Sequence, residues 1–498
     1  MKAERLFTII GLVDEDLVEE AGSGAKRPWT QTLGTVVAAC LALSLAAGPM
    51  AALLTPKGMK EEAPAASAPA ASAPAASAPA AAEPQSPGTA PESEPFLSYA
   101  GPVLPLIGVK DSSLTAYRTL DFNISESSAA VKDTYLLTNP TDADLTFTAY
   151  YPVTGSLGEM DNILPSILVD GSTVETSLYA GQYAGTFVSA YGSDEPSHRD
   201  NLFQPNTWSF YDQALSRDDL ASALEDAPAL DESVTVYAFS DFVTRPDYDA
   251  ATLAMEFTIA PEKTTILTHG FNGSSWDMET GWRQYDFFLP NGQRMDTEPK
   301  LLVIRGEDIH NYTLAGYTNG GCEEPLEGLS CTVTRYETTM GALLEELCRS
   351  YLTAYASGAN ISGLLKSDPE NISLALFYRC AAQLLTEYGP LAEAPAERYA
   401  FGRLDDVVSE ALILERLFYT AFEVTVPAGS SVTVEAACRK AASFDFPGTD
   451  RQGIYGYDLL TYGFPTELTV TGAAITAGNA ESGMTLEEET HYYFEVNS

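Results

Sequence analysis

Basic residues are scarce in this chain: 27 Lys and Arg stand against 69 Asp and Glu, for a formal net charge of −42. A surface of that sign repels phosphate backbones and anionic headgroups, which excludes nucleic acid as a partner. Histidine is scarcer still, with four residues, His198, His269, His310 and His491, scattered along the chain. Without an HExxH or a helical His pair no coordination geometry is fixed, so His269 after an apolar strand, and His310 near Glu307 and Asp308, read as ordinary loop residues. There is no GxSxG elbow and no phosphate-cradling Gly loop. No catalytic residue, cofactor or metal ligand is assigned. Beyond Cys40 lie Cys322, Cys331, Cys348, Cys380 and Cys438, an odd set without a CxxC pair. That is neither a zinc site nor a disulfide framework, although Cys322 to Cys331 is the easiest loop to close. An EF-hand loop is missing too. Paired carboxylates, the requirement for glycoside hydrolysis, are met by abundance alone and so identify nothing.

What is present begins with a run free of charge, Leu33 to Leu54. At 1.5 Å per residue it reaches roughly 33 Å, enough for a hydrocarbon core of about 30 Å. The segment before it is long and as acidic as it is basic, unlike a secretory n-region, so the run reads as a retained transmembrane helix. Val37-Ala38-Ala39-Cys40 has the look of a lipoprotein site, but the apolar run before Cys40 is too short and continues past it. Lys26 and Arg27 on one side balance Lys57 and Lys60 on the other, so the positive-inside rule is a tie. The large acidic remainder makes more sense translocated, which puts the N-terminus inside the plasma membrane. Residues 1–32 form a short cytoplasmic tail in which Leu6, Ile9, Ile10, Val13 and Leu17 share a helical face. So short a chain cannot bury that stripe itself. It reads equally as a docking segment for a cytoplasmic protein and as a helix lying on the inner membrane surface.

Residues 55–95 repeat Pro-Ala-Ala-Ser-Ala, a composition that favours extended conformers and prevents a core. This linker spaces the folded part from the bilayer. Residues 96–334 carry mostly period-two patterning: Val131, Asp133, Tyr135 and Leu137, then Leu145, Phe147, Ala149 and Tyr151 after Asn139-Pro140-Thr141-Asp142, predict an antiparallel pair. Asp170-Gly171 marks a tight hairpin, and further strands are predicted at Val234–Phe239, Leu253–Ile259, Thr264–Thr268, Tyr285–Leu289 and Leu301–Ile304. Ser216-Arg217-Asp218-Asp219 reads as a capping box opening a small helix. Over 335–419 the period turns helical: Tyr336, Met340, Leu343, Leu344, Leu347, Tyr351 and Tyr355 form one stripe, a second helix opens at Asp368-Pro369, and a third carries Leu404, Val407, Val408, Ala411, Leu412 and Phe418. Strands return in 420–498, read as a C-terminal β unit. The expected class is an α+β ectodomain, mainly antiparallel β in immunoglobulin-like sandwich units, with a three-helix segment.

The densest aromatic and Gly region runs from Gly270 to Tyr285. Trp276, Asp277, Trp282 and Tyr285 are its candidate ligand contacts, since exposed Trp beside Asp can stack on sugars or anchor a peptide. The competing reading is that these rings fill a core.

The tail, with Leu6-Phe7, the Gly11 break, Val13 through Ala21 and Lys26-Arg27-Pro28-Trp29 before a membrane helix, resembles the N-termini of clostridial single-pass membrane proteins, some of them anti-sigma-factor-like. The stretches Tyr135 to Asp142, Tyr151-Pro152, Gly306-Glu307-Asp308-Ile309 and Gly321-Cys322-Glu323 resemble the β-rich extracytoplasmic regions of the same proteins. The resemblance implies a location and no reaction, and the tail lacks the zinc-binding His and Cys of one anti-sigma class. The expectation is a single-pass, membrane-anchored extracytoplasmic protein that binds or senses a ligand and signals through its tail. A cell-envelope glycan hydrolase and a purely structural surface protein are the alternatives.

Overall fold

The computed structural model describes residues 103–108, 113–124, 128–184, 186–188, 201–203, 218–248, 250–290, 299–309, 311–356, 366–441, 443–445, 454–456, 468–477, 484–485 and 496–497. The tail, the run Leu33 to Leu54 and the linker lie outside these residues, and with them the stripe Leu6, Ile9, Ile10, Val13 and Leu17. Among the described residues no helix is long and apolar enough to cross a membrane. They form mostly antiparallel sheets with a few helices, a β-rich α+β fold.

The proximal part opens with β1 (Thr115–Ile124), β2 (Ser128–Thr138) and β3 (Leu145–Gly155), then a short helix α1 (Met160–Ile163). β4 (Ser166–Val169) and β5 (Ser172–Thr173) pair across Asp170 and Gly171, both at positive φ, as the Asp-Gly signal predicts. β6 (Ser177–Tyr183), a small pair of β7 (Thr186–Val188) and β8 (Asn201–Phe203), and α2 (Asp219–Ala223) follow. Ser216 and Arg217 of the expected capping box lie outside the described residues; the residue before α2, Asp218, sits at φ 52 with no capping hydrogen bond, and the Asp219 carboxylate accepts from the Tyr419 hydroxyl and the Gln182 amide.

The distal part contains β9 (Ser233–Val243), β10 (Ala250–Thr258), β11 (Thr264–His269), β12 (Gly273–Trp276), β13 (Trp282–Pro290), β14 (Lys300–Gly306), β15 (Tyr312–Tyr317) and β16 (Ser330–Thr339). They make two four-stranded sheets, ordered β11-β14-β9-β16 and β12-β13-β10-β15. Three helices come next, α3 (Met340–Ala356), α4 (Leu374–Glu387) and α5 (Leu404–Ile413). The helical stripe starts later than its spacing predicts: Tyr336 lies in β16, opposite Val236, and Phe418 lies in the strand after α5. Asp368-Pro369 opens a 3-10 turn whose cap is the Asp368 carboxylate, and α4 itself begins at Leu374.

The last long strands are β17 (Arg416–Val426) and β18 (Ser431–Ala441). Shorter strands follow: β19 (Ser443–Asp445), β20 (Ile454–Gly456), β21 (Thr469–Ala477), β22 (Met484–Thr485) and β23 (Val496–Asn497). Their partners differ from the sequence reading. β17 pairs with β3 and β6, β18 with β2 and β4, and β21 lies parallel to β1, so residue 420 falls inside a strand of the proximal sheets. β2 and β3 do not pair with each other but sit in opposite sheets, ordered β22-β21-β1-β2-β18-β4-β5 and β3-β17-β6. Buried Asn139 is the reason. Its amide donates to the Ala143 and Val426 carbonyls at 2.8 and 3.0 Å, tying the β2–β3 and β17–β18 crossings together where both strands change sheets. Periodicity gives each strand's inward face but not its neighbour.

Between the proximal sheets the inward face of β2 carries Asp133, fully buried. Arg118 from β1 grips it with two bonds of 2.8 and 2.6 Å, and the Tyr135 and Tyr151 hydroxyls each donate to it at 3.1 Å. Burial alone would lower the Arg118 guanidinium; Asp133 outweighs that and holds it well up. The apolar core runs on from Tyr135 and Leu137 through the helices to Val234, Val236, Leu267, Leu301 and Val303 of the first distal sheet. The opposite face of that sheet, with Tyr237, Phe239, Leu302 and Ile304, shares a second core with Leu253, Met255, Phe257, Phe287 and Leu289 of the other. The sheet β11-β14-β9-β16 is therefore covered on both sides, and β12-β13-β10-β15 is the outermost layer.

Candidate functional site

The outermost sheet has one face in the second core and one turned away from it. Leu253, Met255 and Phe257 of β10, and Tyr285, Phe287 and Leu289 of β13, point inward. By the two-residue period Thr252, Ala254 and Glu256, and Trp282, Gln284, Asp286 and Phe288, lie on the outer face. Register then builds one row across four strands: Gly273 opposite Asp286, Asp286 opposite Ala254, and Ala254 opposite Ala315. A single carboxyl stands among residues with no side chain beyond Cβ. Gly273 is required there, since a Cβ at that position would come 2.4 Å from Asp286 Oδ2.

On one side of the row lie Gln284 and Glu256, which are paired across the strands. Glu256 Oε1 accepts from Gln284 Nε2 at 2.8 Å and from the Tyr317 hydroxyl at 3.2 Å. Tyr317 starts on the other side, opposite Thr252, so its ring spans the Ala254 level to reach Glu256. Phe288, opposite Thr252 on β13, is half exposed. The turn after β15 passes over this face: Gly320 lies against the Phe288 ring, and Cys322, at φ 51, comes close enough to feel Asp286 and Glu256.

Two polar groups here lack a partner. Asp286 is 4% exposed, and among the described residues no hydrogen bond or ion pair reaches its carboxyl. Thr252 is fully buried, and its Oγ1 has no hydrogen-bond partner. Burial, with nothing opposing it, pushes Asp286 up to about 6. Burial, helped by the charges of Asp286 and Glu256, pushes the Cys322 thiol up to about 11. Burial and then Glu256 raise Tyr317. Among the described residues no three His, Cys, Asp or Glu side chains gather in a metal-holding arrangement, here or elsewhere.

The four residues singled out by sequence do not converge. Trp282 is on the outer face, partly buried. Tyr285 belongs to the core, stacked on Phe257 with ring centroids 6.0 Å apart and edge-on to Phe271. Trp276 is 51% exposed and pairs in register with Arg283, in phase with Tyr285, and its ring meets half-exposed Phe401 at 5.8 Å. Asp277 shapes a turn: it accepts from the Glu279 amide at 2.8 Å, and that bond and those to Thr280 hold its carboxyl low. His269 is fully buried, its Nδ1 2.8 Å from the Pro299 carbonyl and its ring edge-on to Tyr351; His310 lies outside the described residues. Cys322 and Cys331 are free thiols, one over the outer face and one beside the second core, so the loop between them is not closed by a disulfide.

Asp286, Thr252, Glu256 and Tyr317 were missed by sequence reasoning. The phase of Trp282-Arg283-Gln284-Tyr285-Asp286-Phe287-Phe288 puts Asp286 with Gln284 and Phe288, but that it has no partner emerges only once β10, β12 and β15 are in place.

A second polar recess, about 80 Å³, lies at the end of the proximal sheets, lined among others by Thr154, Glu159, Glu415, Cys438 and Lys440. Burial and then Glu159 push Glu415 up to about 7 against Lys440 and Lys366. Its lining cations are already engaged, Lys440 with Thr154 and Arg439 with the Ser128 hydroxyl. The outer sheet face is the stronger candidate because its acidic groups meet no cation.

Compared with models of known protein families the chain matches none, and no curated protein matches it.

Proposed function

We propose that the chain is a single-pass, membrane-anchored extracytoplasmic binding protein whose ligand docks on the outer face of the β12-β13-β10-β15 sheet. The observation that carries this reading is the pair of buried, unpartnered groups, Asp286 and Thr252, on a face bordered by Phe288, Tyr317 and Trp282. Natural proteins pair buried polar groups, and those left over mark sites completed by something else. Anchoring rests on the uncharged run Leu33 to Leu54, and signalling on the stripe Leu6, Ile9, Ile10, Val13 and Leu17, which would dock a cytoplasmic protein. The two stacks of sheets are read as immunoglobulin-like in architecture.

Co-sedimentation of the full-length protein with insoluble envelope polymers tests the site. Retention lost in both Phe288→Ala and Asp286→Asn supports it, and retention equal to wild type in both overturns it. Protease added to sealed cells tests the topology: the C-terminal part is expected to be degraded, and its survival removes the extracytoplasmic placement.

A second reading is a glycan hydrolase. Glu256 and Asp286 sit diagonally across β10 and β13, with Cβ atoms ~7 Å apart by sheet geometry. Inverting glycosidases hold their carboxyls about 6.5–9.5 Å apart, with one acid kept protonated. Sugar release abolished by either Glu256→Gln or Asp286→Asn supports this reading; no release from a broad glycan panel removes it.

A further inference from the structure

The outer face offers hydrogen-bond acceptors and asks for donors. Gln284 Nε2 and the Tyr317 hydroxyl, the donors nearest Glu256, are already spent on it. Arg283, the cation on the same strand, points the other way and donates to the Asp277 and Trp282 carbonyls. Among the described residues no Lys or Arg forms an ion pair with Asp286 or Glu256, and no cation offsets the burial of Asp286. What remains without a partner is a carboxyl and, enclosed beneath the face, the Thr252 hydroxyl, beside a thiol and one small-residue row with aromatic rings at its borders. A metal ion is a poor fit, because no three ligating side chains converge among the described residues. A neutral sugar would leave both acidic groups without a counter-charge. The group that satisfies every open position is a positively charged nitrogen bearing several N–H donors on a carbon stem that lies along an aromatic wall.

Resting on the binding role assigned above to this face, we propose that it is a receptor for a primary alkylammonium group, with Asp286 as counter-ion, Thr252 Oγ1 as a second acceptor and Phe288 against the alkyl stem. The glycine at 273 keeps one side of Asp286 free of any side chain. Tyr317 and Gln284, by holding Glu256, fix a second negative charge beside the first. Occupation is tied to protons. Asp286 titrates at about 6 when empty, so below that pH an arriving ammonium must displace a proton, and affinity falls as acidity rises. The other titratable groups facing it are Glu256, Tyr317 and Cys322, and the last two stay protonated throughout this range.

The test is calorimetric titration of the full-length protein with n-butylammonium, its neutral counterpart n-butanol, and tetramethylammonium, which has charge but no N–H. The expected order places n-butylammonium at least about ten-fold tighter than either other probe at pH 7.5, with roughly ten-fold loss per pH unit below 6. Asp286→Asn is expected to abolish n-butylammonium binding while its thermal unfolding stays at or above wild type, which separates loss of the site from loss of the fold. Equal affinity for n-butanol, or undiminished affinity in Asp286→Asn, overturns the proposal. If n-butanol binds equally and Phe288→Ala weakens both probes, the ammonium is excluded and the face remains a binding surface. If no probe binds, the ammonium is again excluded, and the binding role is judged by envelope co-sedimentation alone.

Discussion

Two buried aspartates, one in each half of the molecule, sit in opposite circumstances. Asp133, between the proximal sheets, receives two bonds from Arg118 and one each from Tyr135 and Tyr151. Asp286, on the outermost distal sheet, receives none. The first is neutralised within its own sheet by Arg118 and tied to the facing sheet by the Tyr151 hydroxyl. The second is largely buried with no partner to offset its desolvation, which a fold tolerates only at a cost. Two buried carboxyls thus differ in what surrounds them, one met by a guanidinium and two hydroxyls and the other by no cation or hydroxyl among the described residues.

Breaking the complete partner set gives the largest effect. Arg118→Met leaves Asp133 a buried charge without its cation and is expected to cost about 3–5 kcal/mol, read as a lower midpoint in chemical denaturation. The double variant Arg118→Met with Asp133→Leu should recover much of that loss, and failure to recover would show that the pair does more than neutralise itself. Asn139→Ala removes the tie between the two sheet crossings and is expected to cost about 1–3 kcal/mol in the same experiment.

The contrasting aspartate predicts the opposite sign. Its raised folded-state value means that the protonated form stabilises the fold: that contribution is present below about pH 4 and is lost as pH rises through about 6. Asp286→Asn should therefore raise unfolding stability above pH 6, by about 3 kcal/mol at most and less where solvent screens the carboxyl, and flatten the pH dependence between 4 and 6. Destabilisation of this variant at neutral pH would erase the distinction between the two aspartates. The smallest effect is expected from Trp276→Ser, whose half-exposed ring meets only Phe401 among ring partners: below about 1 kcal/mol, with envelope retention unchanged.

Much of the strand pattern was legible because period two is written in single residues. The Asp170-Gly171 hairpin and the existence of β9, β10, β13 and β14 follow from local chemistry. Pairing did not, because β2 and β3 are equally compatible with one sheet or two, and the choice depends on Asn139 reaching a carbonyl nearly three hundred residues away. The same holds for the C-terminal strands, whose partners β2 and β3 lie far upstream. At the candidate site, aromatic density drew attention to Gly270 through Tyr285, a stretch that falls on β12 and β13. Asp286 was not singled out, since a lone Asp in a chain with 69 acidic residues carries no signal until its neighbours are shown to be Gly273 and Ala254.

The chain enters the distal sheets at β9 and leaves them at β16, and these strands run side by side. Just before and after them, the Met340 amide bonds the Glu232 carbonyl at 2.9 Å and the Gly341 amide bonds the Leu230 carbonyl at 2.8 Å. If the proposed anchor and docking face both hold, tension between them converges on this narrow crossing, where two peptide strands carry the load in parallel and the greasy seam with the helices shares it.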